Sequence, residues 1–505
     1  MAFALVGAGC TVGPDYQRPT APTPAAYKEL GWQRARPADA IDRGAWWSVY
    51  RDPLLDRLER QIDISNQNLI AAAASYREAE AIVAQARAGF FPTVTLNATA
   101  QRSRSPGGSG SAVVSSAGVV SAGGSSGRIS NFFNINTAAS WTPDLWGRVG
   151  RTVESDIESA QASAGDLASA RLAAQGQLAS NYMQIRVADA LRRLLDQTVK
   201  AYGESLRIAR NQYNAGIVAA SDVAQAQTQL ENALAQAIAV GNLRAQLEHA
   251  IAVLIGRPPA EVAIPPADTV AQIPAIPVDV PATLLERRPD IAAAERRMAA
   301  ANAQIGVANA AFFPNITLSG QIGQSASMLS RLFTDAARTW SIGSTLAETL
   351  FEGGLRHAQV EQARAAYDGA IANYRQTVLA AFQQVEDQLA ALRILADQQR
   401  ATDAAAAAAR EAERIISNQY KAGTVAYTNV VVAQTAALAS AETALNVRQS
   451  RLVASVALIQ ALGGGWDVSG LPSKEQIETD VPLNFSPLPP DDAWPKLPKW
   501  LQSPW

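Results

Sequence analysis

The segment Gly89-Phe90-Phe91-Pro92-Thr93-Val94-Thr95-Leu96 returns downstream as Ala311-Phe312-Phe313-Pro314-Asn315-Ile316-Thr317-Leu318, and Asn211-Gln212-Tyr213-Asn214-Ala215-Gly216 returns as Asn418-Gln419-Tyr420-Lys421-Ala422-Gly423. The offsets, 313 − 91 = 222 and 420 − 213 = 207, are nearly equal and keep one order, so the chain is two copies of one unit. The difference, 222 − 207 = 15 residues, falls in the first copy. There 102–128 is Gly/Ser-rich and predicts an enlarged exposed loop, against a shorter one at about 324–338 in the second copy.

Each copy predicts one very long helix. From 148 to 214 the chain has no Pro and a steady supply of Ala, Leu, Gln and Arg, over 214 − 148 + 1 = 67 residues. At 1.5 Å per residue such a helix extends about 100 Å. The second copy matches it at 354–421, which is 68 residues. Shorter helical stretches at 54–89, 221–256, 284–311 and 429–463 have 36, 36, 28 and 35 residues, so two end to end equal about one long helix. The expectation is an antiparallel pair per copy, with one partner interrupted. The interruptions, 11–53, 257–283 and 464–505, are Pro-rich and non-periodic and predict a belt of short elements midway along the rod. Trp494, Trp500 and Trp505 are expected to pack against the helices there.

Beside the Phe-Phe-Pro markers the pattern switches to alternation, predicting strands at about 91–101, 131–142, 314–323 and 339–349. Strands of about ten residues cross a membrane when tilted, and polar-in, apolar-out alternation suits a barrel wall. Four strands cannot close a barrel, since the smallest need about eight, and open edges in lipid leave backbone groups unpaired. The chain must therefore oligomerise, and its residues alone allow two, three or four copies.

Composition removes other classes. With 43 basic and 45 acidic residues there is no basic stripe for nucleic acid. Two His, His249 and His357, both in helical patterns, and one Cys leave little for a metal cluster or a Cys/His pair. Gly107-Gly108 and Gly123-Gly124 lack the Lys of a phosphate cradle. Glu386-Asp387, inside a helix, reads as an exposed or interhelical charge. No catalytic, cofactor or metal site is expected, and no stretch has the ~20 consecutive apolar residues of a spanning helix. Residues 1–10 resemble a secretory-signal remnant ending in Ala8-Gly9-Cys10, with Cys10 either an unpaired thiol or a lipid-bearing residue.

Cys10-Thr-Val-Gly-Pro-Asp-Tyr-Gln-Arg-Pro19 is similar to the mature start of the outer-membrane factor lipoproteins of tripartite efflux pumps, the TolC-like family in its OprM/NodT branch. Four further runs resemble that family in order: Ala45-Trp46-Trp47-Ser-Val-Tyr50-Arg-Asp-Pro53, Leu285-Glu-Arg-Arg-Pro289-Asp290, Leu350-Phe-Glu-Gly353-Gly354 and Tyr374-Arg-Gln-Thr-Val-Leu379. The resemblance spans essentially the whole chain. It implies a mainly α protomer with a transmembrane β-barrel, three copies forming a twelve-stranded barrel continued by a periplasmic helical barrel. It also implies a covalent lipid on Cys10, residence in the outer membrane, and a periplasmic adaptor and an inner-membrane RND-type pump as partners.

The best functional candidates are the helix turns at 213–223 and 420–430, where Gly216 and Gly423 supply the left-handed residue that ends a helix. In the family such tips form the aperture and dock the adaptor. By that resemblance Gly216 and Gly423 are docking candidates, and Tyr213, Asp222, Tyr420 and Tyr427 are gate candidates. The second tip has no acidic residue between Lys421 and Glu442, which argues against an acidic ring. Rival readings are a duct of another export system, a barrel-less periplasmic adaptor or scaffold, and a partnerless porin or adhesin.

Overall fold

A computed structural model describes residues 11–29, 45–104, 129–267, 272–274, 276 and 284–480. Cys10, the stretch 105–128 and the three tail tryptophans lie outside them. Helices α1 (Pro53–Ser65) and α2 (Gln67–Ala88) lead into strands β1 (Thr93–Arg104) and β2 (Ile129–Trp141), then α3 (Arg148–Asn214) and α4 (Ala220–Leu254). The second copy repeats the order with α5 (Leu284–Arg287), α6 (Pro289–Ala310), β3 (Asn315–Ala326), β4 (Arg338–Ala347), α7 (Leu355–Lys421) and α8 (Tyr427–Ala461), and α9 (Lys474–Asp480) follows.

The two long helices have 67 residues each, so each extends about 100 Å. Beside each stands a column of two shorter helices placed end to end. In the first copy α2 stands on α4: Asn66 donates through Nδ2 to the Leu254 carbonyl at 2.7 Å, and a Cβ on Gly256 would lie 1.9 Å from the Ser65 carbonyl oxygen. In the second copy α6 stands on α8: Arg288 Nη1 donates to the Ala461 carbonyl at 2.9 Å, and a Cβ on Gly463 would lie 1.9 Å from the Arg287 carbonyl oxygen. Both glycines also have positive φ, 67° and 94°, so each lower helix ends by reversing against the backbone of the one above. α3 packs between the two columns, and α7 packs against the second.

These joints correct two expected helices. The stretch 54–89 is not continuous but breaks at Asn66, whose oxygen caps α2 by accepting from Asn68 N and Leu69 N at 2.9 and 3.1 Å. The stretch 284–311 breaks at Arg288, held extended ahead of Pro289, the first residue of α6. By length and composition α8 is the one described helix that passes as a membrane span; it packs along α7 and α3 in the rod.

Midway along α3 the belt closes over one core. Trp46, Trp47 and Tyr50 bury against Leu178, Tyr182 and Ile185 of α3, Ile251 and Ile255 at the end of α4, and Ile264 of the Pro-rich linker. Burying each such side chain stabilises by roughly 1.5–3 kcal/mol. The linker is clamped by Arg186, which donates to the Pro265 carbonyl at 2.9 Å, and by Asp189, which accepts from Ala267 N at 3.2 Å.

The terminal segments depart from the expected belt. Residues 11–29 run down from the base of the sheet, where Val12 N donates to the Trp146 carbonyl at 3.3 Å. Arg151 pairs with Asp15 at 2.9 Å, Tyr16 Oη donates to Glu295 at 2.6 Å, and Glu386 accepts from Lys28 N and Glu29 N at 2.6 and 3.0 Å. So 11–29 run along α6 and the upper half of α7 before Tyr27 buries at mid-rod beside Val385 and Leu389, and the described stretch 45–53 lies in the belt itself. After Gly464 the chain climbs the other way. Gln161 Nε2 donates to the Pro472 carbonyl at 2.9 Å, Ile477 buries with Val83, Val153 and Ile157, and Arg87 donates to the Glu478 carbonyl at 2.7 Å.

The four strands form one antiparallel sheet in the order β1-β2-β3-β4. They start and stop up to three residues from the expected bounds, β1 and β3 running further from the helices than the alternation alone predicts.

Candidate functional site

The sheet offers two unlike faces. In the register Leu96 opposite Thr137 opposite Ile322 opposite Trp340, and Ala139 opposite Gly320 opposite Ile342, apolar residues share one side. On the other side Asn97 lies opposite Asn136, and Asn136 Nδ2 donates diagonally to Gln321 Oε1 at 3.2 Å. Leu96 is 74% and Ile342 81% exposed, an arrangement that suits lipid and not water. β1 and β4 are the sheet edges and have no partner strand among the described residues. At the sheet base Phe90, Phe91, Trp141 and Phe351 are exposed, and Trp141 Nε1 donates to the Phe90 carbonyl at 3.0 Å. Aromatics with one polar handle collect where hydrocarbon meets water.

At the opposite end the two helix turns are built alike. In the first, Gly216 N donates to the Tyr213 carbonyl and Ile217 N to the Gln212 carbonyl, both at 2.9 Å. In the second, Gly423 N donates to the Tyr420 carbonyl at 2.9 Å and Thr424 N to the Gln419 carbonyl at 3.0 Å. Gly216 and Gly423 have φ of 73° and 75°, and a Cβ on either would meet nothing within 4 Å. The backbone angle, not space, demands glycine there.

Of the gate candidates the fold brings together Tyr420 and Tyr427, with Asp222 close enough to act on both. Tyr420 and Tyr427 are buried, with ring centroids 5.2 Å apart, among Leu206 and Ala209 of α3, Ala226 of α4 and Val430 of α8. Tyr420 Oη donates to Gln212 Oε1 at 2.6 Å and ties α7 to α3. Gln434 Nε2 donates to Ser205 Oγ at 3.1 Å and ties α8 to α3. Burial first, then the Asp222 carboxylate, raises the Tyr420 phenol; burial, Tyr420 and Asp222 push Tyr427 up to about 12. Both phenols therefore stay protonated donors at neutral pH. Asp222 sits in the first turn of α4, where the exposed amide groups favour a negative charge.

Tyr213 is placed apart from this cluster, 49% exposed. Its neighbour Gln212 holds Tyr420 instead, and its signal was the Gln shared by both Asn-Gln-Tyr markers. Glu386, by its place in a helix an exposed or interhelical charge, instead receives the two backbone donors of residues 28 and 29. Among the described residues no group of His, Cys, Asp and Glu is arranged to hold a metal ion. His357 packs edge-on to Phe312, centroids 5.0 Å apart.

A family model described as outer membrane efflux protein matches residues 59–257 and 280–464, both repeats of the chain. The chain is 30% identical over 483 residues to the probable efflux pump outer membrane protein TtgC of Pseudomonas putida, covering 95% of this chain and 97% of that protein. It is 32% identical over 472 residues to the outer membrane protein OprJ of Pseudomonas aeruginosa, covering 92% and 95%. Among solved structures it is similar to the outer-membrane channel OprN, with a TM-score of 0.81 and 29% identity over 90% of this chain and 100% of that one. With both repeats matched and the likeness running nearly end to end, the chain belongs to the outer membrane efflux protein family, as an outer-membrane transport channel and not an enzyme.

Proposed function

We propose that three copies of this chain close into one tube, a twelve-stranded barrel in the outer membrane continued by helices through the periplasm. The tube is a passive exit duct for small molecules delivered by an inner-membrane RND-type pump through a periplasmic adaptor. The observation that carries this is the four-stranded sheet whose two edges have no partner among the described residues, so that β1 of one copy can take β4 of the next and remove every edge. A barrel-less scaffold has no use for apolar residues such as Ile342 facing outward. Native mass spectrometry of the detergent-extracted protein tests the assembly. Three chains are expected, and a stable monomer or dimer would overturn the reading.

The tips at Gly216 and Gly423 are the proposed docking surface for the adaptor, and Tyr420, Tyr427 and Asp222 hold the aperture shut. Exposed Tyr213 is kept for contact between copies. The proposed lipid on Cys10 is supported by its neighbour: Thr11 lies against Gly147, where a Cβ would come within 2.9 Å of the Thr11 side chain, just below the end of β2. A thioether-linked lipid one residue away reaches the periplasmic leaflet directly.

A further inference from the structure

Charge on the two strand hairpins is one-sided. Residues 90–142 and 313–347, the hairpins with their connecting stretches, contain five Arg, no Lys and one acidic residue, Asp335. The four arginines that the structure describes, Arg102, Arg104, Arg331 and Arg338, are exposed and stand at the sheet end away from the helices. Pleating decides where three of them point. β1 pairs without a bulge from Thr93 to Arg104, so Arg102 and Arg104 share the apolar face of Leu96, while Arg338 shares that of Trp340 and Ile342 on β4. Arg102 and Arg104 stand eight and ten residues beyond Val94, about 26 and 33 Å along a tilted strand, where the apolar band of an outer-membrane barrel, about 25 Å tall, ends. Trp340, 72% exposed, is the next outward residue below Arg338, and Trp collects at that boundary.

These guanidinium groups are short of counter-charge. Arg338 has Asp335 at 3.7 Å, with both side chains largely in solvent, and Arg102 and Arg104 meet no carboxylate among the described residues. β1 and β4 are also the sheet edges, so where copies join, β1 of one lies beside β4 of the next. With strand ends level and outward faces matched, Arg338 of the next copy falls opposite Arg102 or Arg104. Like charges directly opposite on a sheet repel. A shared anion turns that repulsion into charge-assisted bonds, and the guanidinium fork fits phosphate oxygens in pairs.

We propose that each seam between copies holds a phosphorylated glycolipid of the outer leaflet, its phosphates on Arg102 and Arg104 of one copy and Arg338 of the next, its acyl chains over Trp340 and Ile342. It rests on the proposed three-copy barrel. Its work is to clasp the seam from outside, at the one place in the sheet where neighbouring strands belong to different chains.

Native mass spectrometry of the detergent-extracted full chain tests this, because the protein mass reports the assembly and the added mass reports the lipid. A trimer that takes up no lipid overturns the site alone, whereas a protein that is not trimeric overturns the barrel reading and the site together. Added bis-phosphorylated lipid A is expected to fill one site per seam, and the same lipid stripped of phosphate to bind at least about tenfold more weakly. The triple change Arg102→Gln, Arg104→Gln, Arg338→Gln should weaken the phosphorylated lipid by at least about tenfold while the trimer mass is kept. Asp335→Asn removes the nearby carboxylate and should tighten binding about twofold, a gain that misfolding cannot produce. If the triple variant loses its trimer, Asp335→Asn decides, and an affinity equal to the parent's overturns the proposal. Equal binding of the two lipids, or of one lipid by parent and triple variant, also overturns it. So does displacement by inorganic phosphate at the lipid's own concentration, which would make this a site for a free anion.

Discussion

Asn66 joins two helices that the chain separates by 188 residues, its side-chain nitrogen donating to the Leu254 carbonyl at 2.7 Å. The same amide's oxygen accepts from Asn68 N and Leu69 N, so one side chain ends α4 and begins α2. It satisfies orphan groups of two helix ends at once. Asn66→Asp keeps the cap but turns the donor into a repelled acceptor; Asn66→Ala loses both. Expected losses are about 1 kcal/mol or more for either, with Ala leaving a buried carbonyl unpaired as well. Heat-induced dissociation of the assembly on unboiled gels reads this out. Equal stability of Asn66→Ala and the parent would show that water replaces the joint.

The bond from Tyr420 Oη to Gln212 crosses from the second repeat to the first at the aperture. Tyr420→Phe leaves the Tyr427 ring contact in place and removes only that bond, worth about 1 kcal/mol. Asp222→Ala combined with Tyr420→Phe should loosen the closed tip and raise leak conductance in planar bilayers. The same double change should sensitise cells to large antibiotics. Conductance equal to the parent's would remove these residues from the gate.

Glu59 on α1 is fully buried, and neither carboxylate oxygen has a hydrogen-bond partner. Burial, and after it the Asp63 charge, holds its pKa well above the ordinary 4.5. Asp63 itself is paired with Arg171. A carboxyl whose folded pKa is raised contributes stability that is complete below the unfolded value and is lost as pH rises through the folded one. Glu59→Gln keeps the uncharged shape. It should match the parent below the ordinary carboxylate range and exceed it increasingly as pH rises above that range. Unfolding temperatures measured across that range check the trend, and a difference that does not change with pH would refute it.

Cys10→Ser should abolish incorporation of labelled palmitate and leave assembled protein in the outer membrane, because the sheet and not the lipid supplies the spanning element. Absence of label on the parent chain would withdraw the lipid.

The fold was legible where physics leaves a local mark. Pro-free runs specify α3 and α7, alternation specifies the strands, and Gly216 and Gly423 stop helices because only glycine takes their φ cheaply. The joints were legible only in part: Pro289 marks the break at Arg288 locally, but the carbonyls that Asn66 and Arg288 meet lie 188 and 173 residues away, and no local pattern encodes a distant carbonyl. The paths of 11–29 and 464–480 were hidden for the same reason, since Glu386 and Arg87 look like ordinary helix charges until the backbone they hold is placed. At the tips, resemblance indicated Tyr213, while packing put Gln212 inward and Tyr213 outward.

The tip glycines separate shape from surface. A Cβ at Gly423 meets nothing, so Gly423→Ala costs only the left-handed backbone, about 1 kcal/mol, and the assembly should still form. Asn accepts that conformation more readily than Ala yet projects an amide from the tip. If adaptor docking needs a flat tip, Gly423→Asn should assemble normally and still lose adaptor binding, while Gly423→Ala weakens assembly slightly and binding less. If docking needs only the turn, the order reverses and Asn is the better substitute. Pull-down with the cognate adaptor, scored beside the yield of assembled protein for each variant at Gly216 and Gly423, decides between the two. Normal binding by all four variants would move the docking surface away from the tips.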